Sequence, residues 1–283
     1  MLDGMAREPN QSDDLFVPVD AIARPLPADI KLPPSKLFPT PTATTAEGLL
    51  CVGGRLAPEW LLDAYRHGIF PWPMWDDDPI AWWSPDPRAI FELDRLHVSR
   101  RLERTIRSGK FRVTCDRDFE GVIRGCATAG DRKGSTWLTP SMIEAYCRMH
   151  DLGHAHSVEI WSDLPLPRGE GRGEGSDAIR HPHPNSLPKR EGTLVGGTYG
   201  IAIGGLFAAE SMFHYERDAS KVALVHLVAH LRARGYQLFD IQQLTPHTAR
   251  FGAIEILRVE YLRRLAKAVT APVTFGESLA KMA

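Results

Sequence analysis

The sequence LVGGTYGIAIGGLFAAESMF, from Leu194 to Phe213, is the stretch that decides the fold. It is apolar, with glycine pairs at 196/197 and 204/205 and a single carboxylate, Glu210, near its end. An apolar run interrupted by glycines is typical of buried strand, with the glycines at bends or close backbone approaches. Charged side chains are rarely buried without a partner, so Glu210 is either exposed on a turn or placed for a function.

Length and composition restrict the class of protein. A chain of 283 residues suits one large domain or two unequal ones. Its formal net charge of -1 gives no overall attraction for nucleic acid, so such binding would need a local basic patch. The four cysteines have no C-x-x-C spacing, which favours reduced thiols over a zinc or disulfide framework. The N-terminus is polar and acidic, and no apolar run reaches membrane-spanning length, so we predict a soluble cytoplasmic protein.

The distribution of prolines and apolar residues predicts the domain organisation. Residues 1–36 are proline-rich without an apolar period, which predicts a disordered or extended tail. We expect a small N-terminal domain at 37–86, a larger domain at 87–270 and a frayed tail at 271–283. Within the larger domain, residues 163–192 are nearly free of apolar side chains and are predicted to be an insertion.

The predicted insertion contains two imperfect copies of one pattern, LPLPRGEG and SLPKREG, as if a repetitive element had entered the reading frame. The alternative for such a long segment is a functional lid. Its glycines imitate a phosphate loop, but no strand-to-helix context frames them. Its histidines, with His154 and His156 before it, lack acidic or cysteine partners at ligand spacing, so we predict no metal site.

Aromatic rings crowd the segment from Ile69 to Arg88, where Phe70 and four tryptophans alternate with prolines. One interpretation is a local aromatic core that holds a proline-rich loop. The other is that one indole, Trp72, is exposed as a platform for an unpaired base, because base–aromatic stacking contributes roughly 1–3 kcal/mol.

A basic helix is predicted in LHVSRRLERTIRSGKFRV, with Ser99 as N-cap and Gly109 at its end. Its arginines at i, i+4 and i+7 share one face. That face is either an ordinary solvated surface or a local grip on phosphates. The three residues are Arg100, Arg104 and Arg107.

The clearest helix follows, in ERDASKVALVHLVAHLRARGYQL, ended by Gly235. The strand Leu238–Gln242 comes next, and alternation places Asp240 and Gln242 on one face. This polar pair marks either a strand end emerging into solvent or the lining of a cleft. A final helix is expected from Val259 to Ala268.

Eight segments in order resemble the bacterial leucyl/phenylalanyl-tRNA–protein transferases over about residues 38–265. They are GLLCVGGRL, LLDAYRHGIFPW, WWSPDPRAI, GSTWLTP, AYCRMHDLGHAHSVE, LVGGTYGIAIGGLFAAESMF, ASKVAL and DIQQLTPHTARFGA. The resemblance implies an α+β fold, a small N-terminal α/β domain before a GNAT-like acyltransferase domain. It implies transfer of Leu or Phe, less readily Met, from aminoacyl-tRNA to the N-terminal Arg or Lys of proteins, which marks them for N-degron degradation. No metal or cofactor is expected.

The resemblance also implies roles for three polar residues. Gln242 matches a glutamine proposed to assist the attacking amine, and Asp240 an aspartate that orients it. A neutral amide is not a base at pH 7, so we interpret Gln242 as a positioning or relay group and Asp240 as the charge that favours a cationic N-terminus. Glu210 matches a carboxylate that holds the aminoacyl group in register. The glycine pairs would give the aminoacyl end room to approach the backbone.

Further matches imply binding surfaces. Trp72 is expected to stack on the terminal adenine, with aromatic residues around the same site, and the basic helix to contact the acceptor stem. Apolar residues are expected to enclose the transferred side chain, and three of them differ from the family's usual residues, which leaves the choice between Leu and Phe open. The expected substrate-binding residues are Trp72, Trp137, Tyr146, Tyr65, Phe207, Thr198, Leu227 and Phe239.

Two other functions compete with this interpretation. An acetyl-CoA-dependent N-acyltransferase would need a glycine-rich pyrophosphate loop, and only the insertion imitates one. A non-catalytic tRNA-binding protein would have no need for Glu210, Asp240 and Gln242 together. We expect a monomer, because no apolar helix face is left unexplained.

Overall fold

The computed structural model describes residues 15–17, 20–73, 79–129, 136–163, 192–280 and 282. Within these ranges the chain is α+β. The strands are β1 (Leu15–Phe16), β2 (Leu49–Gly53), β3 (Phe70–Pro71), β4 (Ala81–Trp83), β5 (Arg88–Phe91), β6 (Arg112–Cys115), β7 (Ala155–Ser162), β8 (Thr193–Ile203), β9 (Leu206–His214), β10 (Leu238–Gln242) and β11 (Ile254–Ile256). The helices are α1 (Pro58–Arg66), α2 (Arg100–Arg107), α3 (Phe119–Thr128), α4 (Pro140–Asp151), α5 (Ala219–Arg234), α6 (Pro246–Ala249) and α7 (Arg258–Ala268).

The strands form two sheets. The smaller is antiparallel with the order β1-β2-β4-β3, and the larger is mixed with the order β11-β5-β10-β9-β8-β7-β6. In the larger sheet β9 and β10 are parallel, and every other neighbouring pair is antiparallel. A parallel pair needs a long crossover, and α5 provides it.

The apolar stretch from Leu194 to Phe213 forms the central hairpin β8–β9, so the prediction of buried strand is confirmed. Gly204 adopts φ +55, as its tight turn requires. The expectation that the glycine pairs leave room for a ligand is wrong, because protein atoms fill those spaces. A Cβ on Gly196 would lie 2.6 Å from the Cβ of Ala219, and one on Gly204 would lie 2.7 Å from the carbonyl oxygen of Ala268.

Local signals located the helix ends well. The Ser99 side chain accepts a hydrogen bond from the Leu102 amide at the start of α2, and Thr139 caps α4 in the same way. Gly235 ends α5 in a left-handed conformation with φ +83. These caps fix the helices that carry or support the polar residues of the site.

The strands divide near the predicted boundary at residue 86, since those before it form the smaller sheet and those after it the larger. One buried apolar cluster nevertheless spans both parts, with Trp60 and Tyr65 from α1 packed in the same core as Tyr146 and Tyr199. The division into two domains therefore stays a prediction, while the shared core places α1 beside the central hairpin.

Both termini pack more closely than the sequence suggests. Residues 20–36 belong to the predicted tail, but Ile30 is buried at 7% exposure and the Asp63 carboxylate accepts hydrogen bonds from Ser35 and the Lys36 amide. A frayed tail is expected after residue 270. In the structure this segment packs against the fold, because Phe275 is 2% exposed and stacks on His156. Val273 and Leu279 pack against the same core as Phe275, and such scattered apolar residues anchor a segment without producing a periodic signal.

Most of the predicted insertion, residues 164–191, lies outside the described residues. Its flanks are the paired strand ends Ser162 and Thr193 of β7 and β8. Deleting residues 165–190 would leave a four-residue connection, a common hairpin length. We expect the shortened protein to unfold within about 4 °C of the full chain, the shift that ~1 kcal/mol produces at this size. A larger fall in a thermal unfolding scan would contradict an insertion without structural function.

The strand β7 carries a buried carboxyl group, that of Glu159. Glu159 is fully buried and accepts hydrogen bonds from the Thr114 and Ser157 hydroxyls. Desolvation raises its pKa from 4.5 to about 7, although the Ser157 and Thr114 hydrogen bonds oppose that shift. The folded protein thus holds this proton more tightly than the unfolded chain.

We expect this carboxyl to make folding stability depend on pH. Its contribution is complete below pH 4.5 and is lost as the pH rises through about 7. The side chain in Glu159→Gln cannot ionise. The variant should therefore lose up to about 3 kcal/mol less of its free energy of unfolding than the unaltered protein when the pH is raised. Urea unfolding at pH 5 and pH 8 measures the effect, with Glu144→Gln on the exposed face of α4 as control. Equal pH dependence in both variants would contradict a buried, proton-holding Glu159.

No helix in the described ranges is long and apolar enough to cross a membrane. Among the same residues, no three histidine, cysteine, aspartate or glutamate side chains are grouped as they would be to hold a metal ion.

Candidate active site

The three polar residues singled out from the sequence meet where β9 and β10 separate. The two strands pair in register from Leu238 opposite Leu206 to Asp240 opposite Ala208, and β9 then continues to His214 paired with β8 but no longer with β10. A bulge between Asp240 and Gln242 interrupts the pairing of β10 with β5. Gln242 has φ +57, an uncommon left-handed conformation for a residue other than glycine. The bulge brings its side chain to Glu210.

Asp240 is fully buried and surrounded by hydrogen-bond donors. Arg88 binds it through Nε and Nη2 at 2.9 and 2.6 Å, and the Tyr261 hydroxyl donates to it at 2.8 Å. The backbone amide of Gln242 donates to the same carboxylate at 2.9 Å. The adjacent guanidinium therefore already compensates the charge that Asp240 is expected to offer to a cationic N-terminus. The place of Asp240 in the site is to hold the Gln242 bulge.

Arg88, which the sequence analysis did not single out, completes this arrangement. It is 1% exposed, and its guanidinium lies 4.7 Å from the centre of the Phe70 ring and 4.6 Å from that of Tyr261. Its Nη1 donates to the carbonyl oxygen of Gly68 at 2.9 Å. The signal was available, since an arginine in the apolar strand RAIF requires a buried acidic partner.

Glu210 is the centre of a second hydrogen-bond network. Its carboxylate accepts from the Gln242 amide nitrogen at 3.1 Å and from the Tyr146 hydroxyl at 3.1 Å. The Tyr65 and Tyr146 hydroxyls lie 2.7 Å apart. Tyr65 and Tyr146 are almost completely buried, so the carboxylate lies deep among protein atoms although Glu210 itself is partly exposed.

Desolvation raises the pKa of Glu210 to about 7, and the nearby Asp240 carboxylate adds to the rise. The hydrogen bonds from Tyr65 and Tyr146 and the charge of Arg88 oppose it. A carboxyl with a pKa near neutrality can accept a proton and release it again at physiological pH. The Glu210 carboxylate therefore has the properties of a proton acceptor, whereas the neutral amide of Gln242 does not.

Trp72 and Trp137 stack on each other at the protein surface. Their ring centres are 4.6 Å apart with an angle of 17° between the planes. Trp72 is 39% exposed, whereas Trp82 in the same aromatic segment is fully buried. The segment thus provides both a local core and an exposed platform, and the role of Trp72 in stacking on a base stays a prediction.

The residues expected to enclose the transferred side chain lie on the α5 side of the sheet. Phe207, Leu227 and Phe239 are buried in one apolar cluster, and the ring centres of Phe207 and Phe239 are 5.8 Å apart. Thr198 is also buried, and its hydroxyl donates to the carbonyl oxygen of Ser211 at 3.0 Å. Tyr65 and Tyr146 belong to the cluster on the opposite face. The structure thus places the tyrosines that surround Glu210 and the apolar residues on opposite faces of the sheet.

The basic face of α2 is partly available for contact with another molecule. Arg100 and Arg104 are exposed. Arg107 forms an ion pair of 3.2 Å with Glu103 one turn earlier. Such surface pairs contribute little energy, so Arg107 stays able to change partner. The contact of these residues with an acceptor stem stays a prediction.

Comparisons with known proteins agree with this geometry. The family model for the leucyl/phenylalanyl-tRNA protein transferase matches residues 90–169 and 188–266, and the model for that protein's N-terminal domain matches residues 54–86. The leucyl/phenylalanyl-tRNA–protein transferase of Solidesulfovibrio magneticus is 50% identical over 233 residues, covering 82% of this chain and 83% of that protein. Those of Anaeromyxobacter sp. (strain Fw109-5) and Chromohalobacter salexigens are 47% and 46% identical, covering 87% and 81% of this chain and 93% and 78% of their own lengths. The chain therefore belongs to the leucyl/phenylalanyl-tRNA protein transferase family and is an aminoacyltransferase.

Proposed function

We propose that this protein, acting as a cytoplasmic monomer, transfers Leu or Phe, and less readily Met, from aminoacyl-tRNA to the N-terminal Arg or Lys of acceptor proteins. The product is thereby marked for degradation by the N-degron route. The observation that carries the proposal is the contact between Gln242 and the Glu210 carboxylate, at the place where β9 and β10 separate. The names of the relatives provide the donor and the amino acids.

The reaction needs no coenzyme in this proposal, because the ester of aminoacyl-tRNA is already activated. The acceptor amine attacks the ester carbonyl carbon, a C–N bond forms, and the C–O bond to the terminal ribose breaks. One proton leaves the amine and one reaches the departing hydroxyl oxygen. We assign the first transfer to the Glu210 carboxylate, whose raised pKa suits it. Positioning of the two reactants accounts for much of the remaining rate enhancement.

Gln242 is assigned the positioning of the amine. Its amide nitrogen is held by Glu210 at 3.1 Å, which leaves its carbonyl oxygen as an acceptor for an N–H group. Asp240 acts one step further away, since it holds the backbone of Gln242 in its left-handed conformation. Asp240 is therefore a positioning residue, and Glu210 and Gln242 are the proposed catalytic residues.

The remaining assignments follow the same proposal. The larger mixed sheet is GNAT-like, with its one parallel pair, β9–β10, opening beside Glu210 to admit the aminoacyl group. Trp72 and Trp137 bind the terminal adenine, and the arginines of α2 bind the acceptor stem. Tyr65 and Tyr146 hold the carboxylate. The apolar residues Phe207, Thr198, Leu227 and Phe239 enclose the transferred side chain.

The test is direct transfer. Purified protein is incubated with radiolabelled Leu-tRNA and a peptide that begins with Arg, and a peptide beginning with Glu is the control. Label should reach only the first peptide, and acetyl-CoA should not replace the donor. Transfer from acetyl-CoA alone would establish an acetyltransferase instead, and tRNA binding without transfer would establish a non-catalytic protein.

A further inference from the structure

A cavity of about 890 Å³ lies at the opposite end of the central strands from the β9–β10 opening. Its floor is the start of β7 and the end of β8, around Ala202 and Gly204, and one wall is the C-terminal segment that Phe275 anchors. None of the proposed catalytic or substrate-binding residues lines it. Its volume lies within the range of small-molecule sites.

The cavity is lined by cationic and imidazole groups from three separate parts of the chain. Arg66 comes from the end of α1 and Arg117 from the turn before α3. His150, His154 and His156 come from the end of α4 and the start of β7. The approach of side chains from several directions differs from a charged helix face, which presents its groups in a single row.

Two acidic side chains face this cluster, and their effect differs. Asp116 is engaged, since it accepts a hydrogen bond from His156 at 2.7 Å and from the Ser157 amide at 2.9 Å. Glu277 is exposed at the rim. Among the described residues, neither Arg66 nor Arg117 forms an ion pair. The guanidinium of Arg66 also contributes, after desolvation, to lowering the pKa of His154. Arg66 and Arg117 thus supply positive charge to the cavity, and no described carboxylate forms an ion pair with either guanidinium.

We propose that this cavity binds a small phosphorylated molecule, with Arg66, Arg117 and His154 in contact with its phosphate oxygens. Guanidinium groups pair with oxyanions through two parallel hydrogen bonds. A flat carboxylate satisfies one such fork, whereas a tetrahedral phosphate offers oxygens to donors on several sides, and these three lining residues come from three different segments of the chain. The remaining volume would hold the rest of the ligand between the imidazoles and the C-terminal wall. The site is independent of the transfer reaction proposed above.

The experiment measures binding of inorganic phosphate, pyrophosphate, AMP and ATP to the full chain by isothermal titration calorimetry at low salt, with citrate as the carboxylate comparator. We expect at least one phosphate compound to bind with a Kd of about 1 mM or tighter. The double variant Arg66→Gln with Arg117→Gln should weaken it at least tenfold. Glu277→Gln should strengthen it, because an anion at the rim is removed. The matched control is Arg148→Gln with Arg232→Gln, two arginines that do not line the cavity, and it should bind as the unaltered protein does.

Three results would overturn the proposal. The first is that none of the phosphate compounds binds at a ligand concentration tenfold above the expected Kd of about 1 mM. The second is that the two double variants, in the cavity and in the control, weaken phosphate binding equally, which would show an effect of the protein's overall charge. The third is citrate binding as tightly as any phosphate compound. If no phosphate compound binds the unaltered protein and the double variant Arg66→Gln with Arg117→Gln loses affinity for tRNA, the two arginines bind the nucleic acid instead. Transfer to the Arg peptide is measured in parallel, so failure of either proposal is recognised separately.

Discussion

Glu210→Gln is expected to lower kcat for transfer to an Arg peptide by about 10²–10⁴-fold, the usual contribution of a positioned proton acceptor. The amide keeps the size of the side chain and can still contact Gln242 and Tyr146, so the fold should be unchanged. What it loses is the ability to accept a proton from the attacking amine. Circular dichroism and thermal unfolding verify the fold, and single-turnover transfer measures the rate.

The pH profile provides the sharper test of the same residue. Glu210 must be ionised to accept a proton, and its pKa is raised to about 7. The rate of the unaltered protein should therefore rise with pH through about 7, and a further rise near pH 8 reports the acceptor α-amino group, whose ordinary pKa is about 8. Tyr146→Phe removes a hydrogen bond that lowers this pKa, so its profile should shift to higher pH. Glu144→Gln on the surface is the control and should reproduce the unaltered profile.

Two outcomes would refute the assignment. One is a Glu210→Gln variant that retains more than about a third of the rate, since general base catalysis contributes far more than that. The other is an unchanged profile in Tyr146→Phe, which would place the titrating group elsewhere. A loss confined to KM would show that Glu210 binds substrate without taking part in proton transfer.

The second large effect is expected at the buried ion pair. Arg88→Met removes the partner of a fully buried carboxylate and should lower the free energy of unfolding by about 3–5 kcal/mol. The loss should exceed that of an exposed arginine because the fully buried Asp240 carboxyl group would be left without its cationic partner. Urea denaturation gives the value, with Arg232→Gln on the surface of α5 as control.

A double variant separates stability from catalysis. Arg88→Met with Asp240→Leu removes both charges and should regain much of the lost stability, as apolar replacements of buried pairs often do. It should stay inactive, because no carboxylate then holds the amide of Gln242. In a protein that stays folded, Asp240→Ala should lower turnover far more than tRNA affinity. Equal losses of turnover and tRNA affinity in Asp240→Ala, or restored activity in the double variant, would contradict its positioning role.

Sequence reasoning was most successful where local chemistry determines structure. Ser99 and Gly235 act as predicted at helix ends because capping depends on one residue and the adjacent backbone. The buried strand in residues 194–213 follows from its continuous apolar run, and the strand of Asp240 follows from alternation. The packed C-terminal segment was missed, because Phe275 contacts residues distant in sequence. No periodic signal records such a contact.

In the candidate site, too, local features could be predicted from the sequence, and features that depend on residues distant in sequence could not. Residue types and spacing indicated Glu210, Asp240 and Gln242, and the structure brings them together through direct hydrogen bonds. Their electrostatic roles could not be deduced, because the charge of Asp240 is compensated by Arg88, 152 residues away in sequence. The raised pKa of Glu210 likewise depends on burial beneath α1 and α4, which only the assembled fold creates.

The adjacent strand ends Ser162 and Thr193 have a practical consequence. The entropy of closing a loop grows only with the logarithm of its length, so this point should accept a long sequence at little cost in stability. A folded guest whose own termini lie close together, such as a fluorescent protein, could be grafted between those two residues. The chain would then report its own abundance in cells while both of its ends stay in their native surroundings.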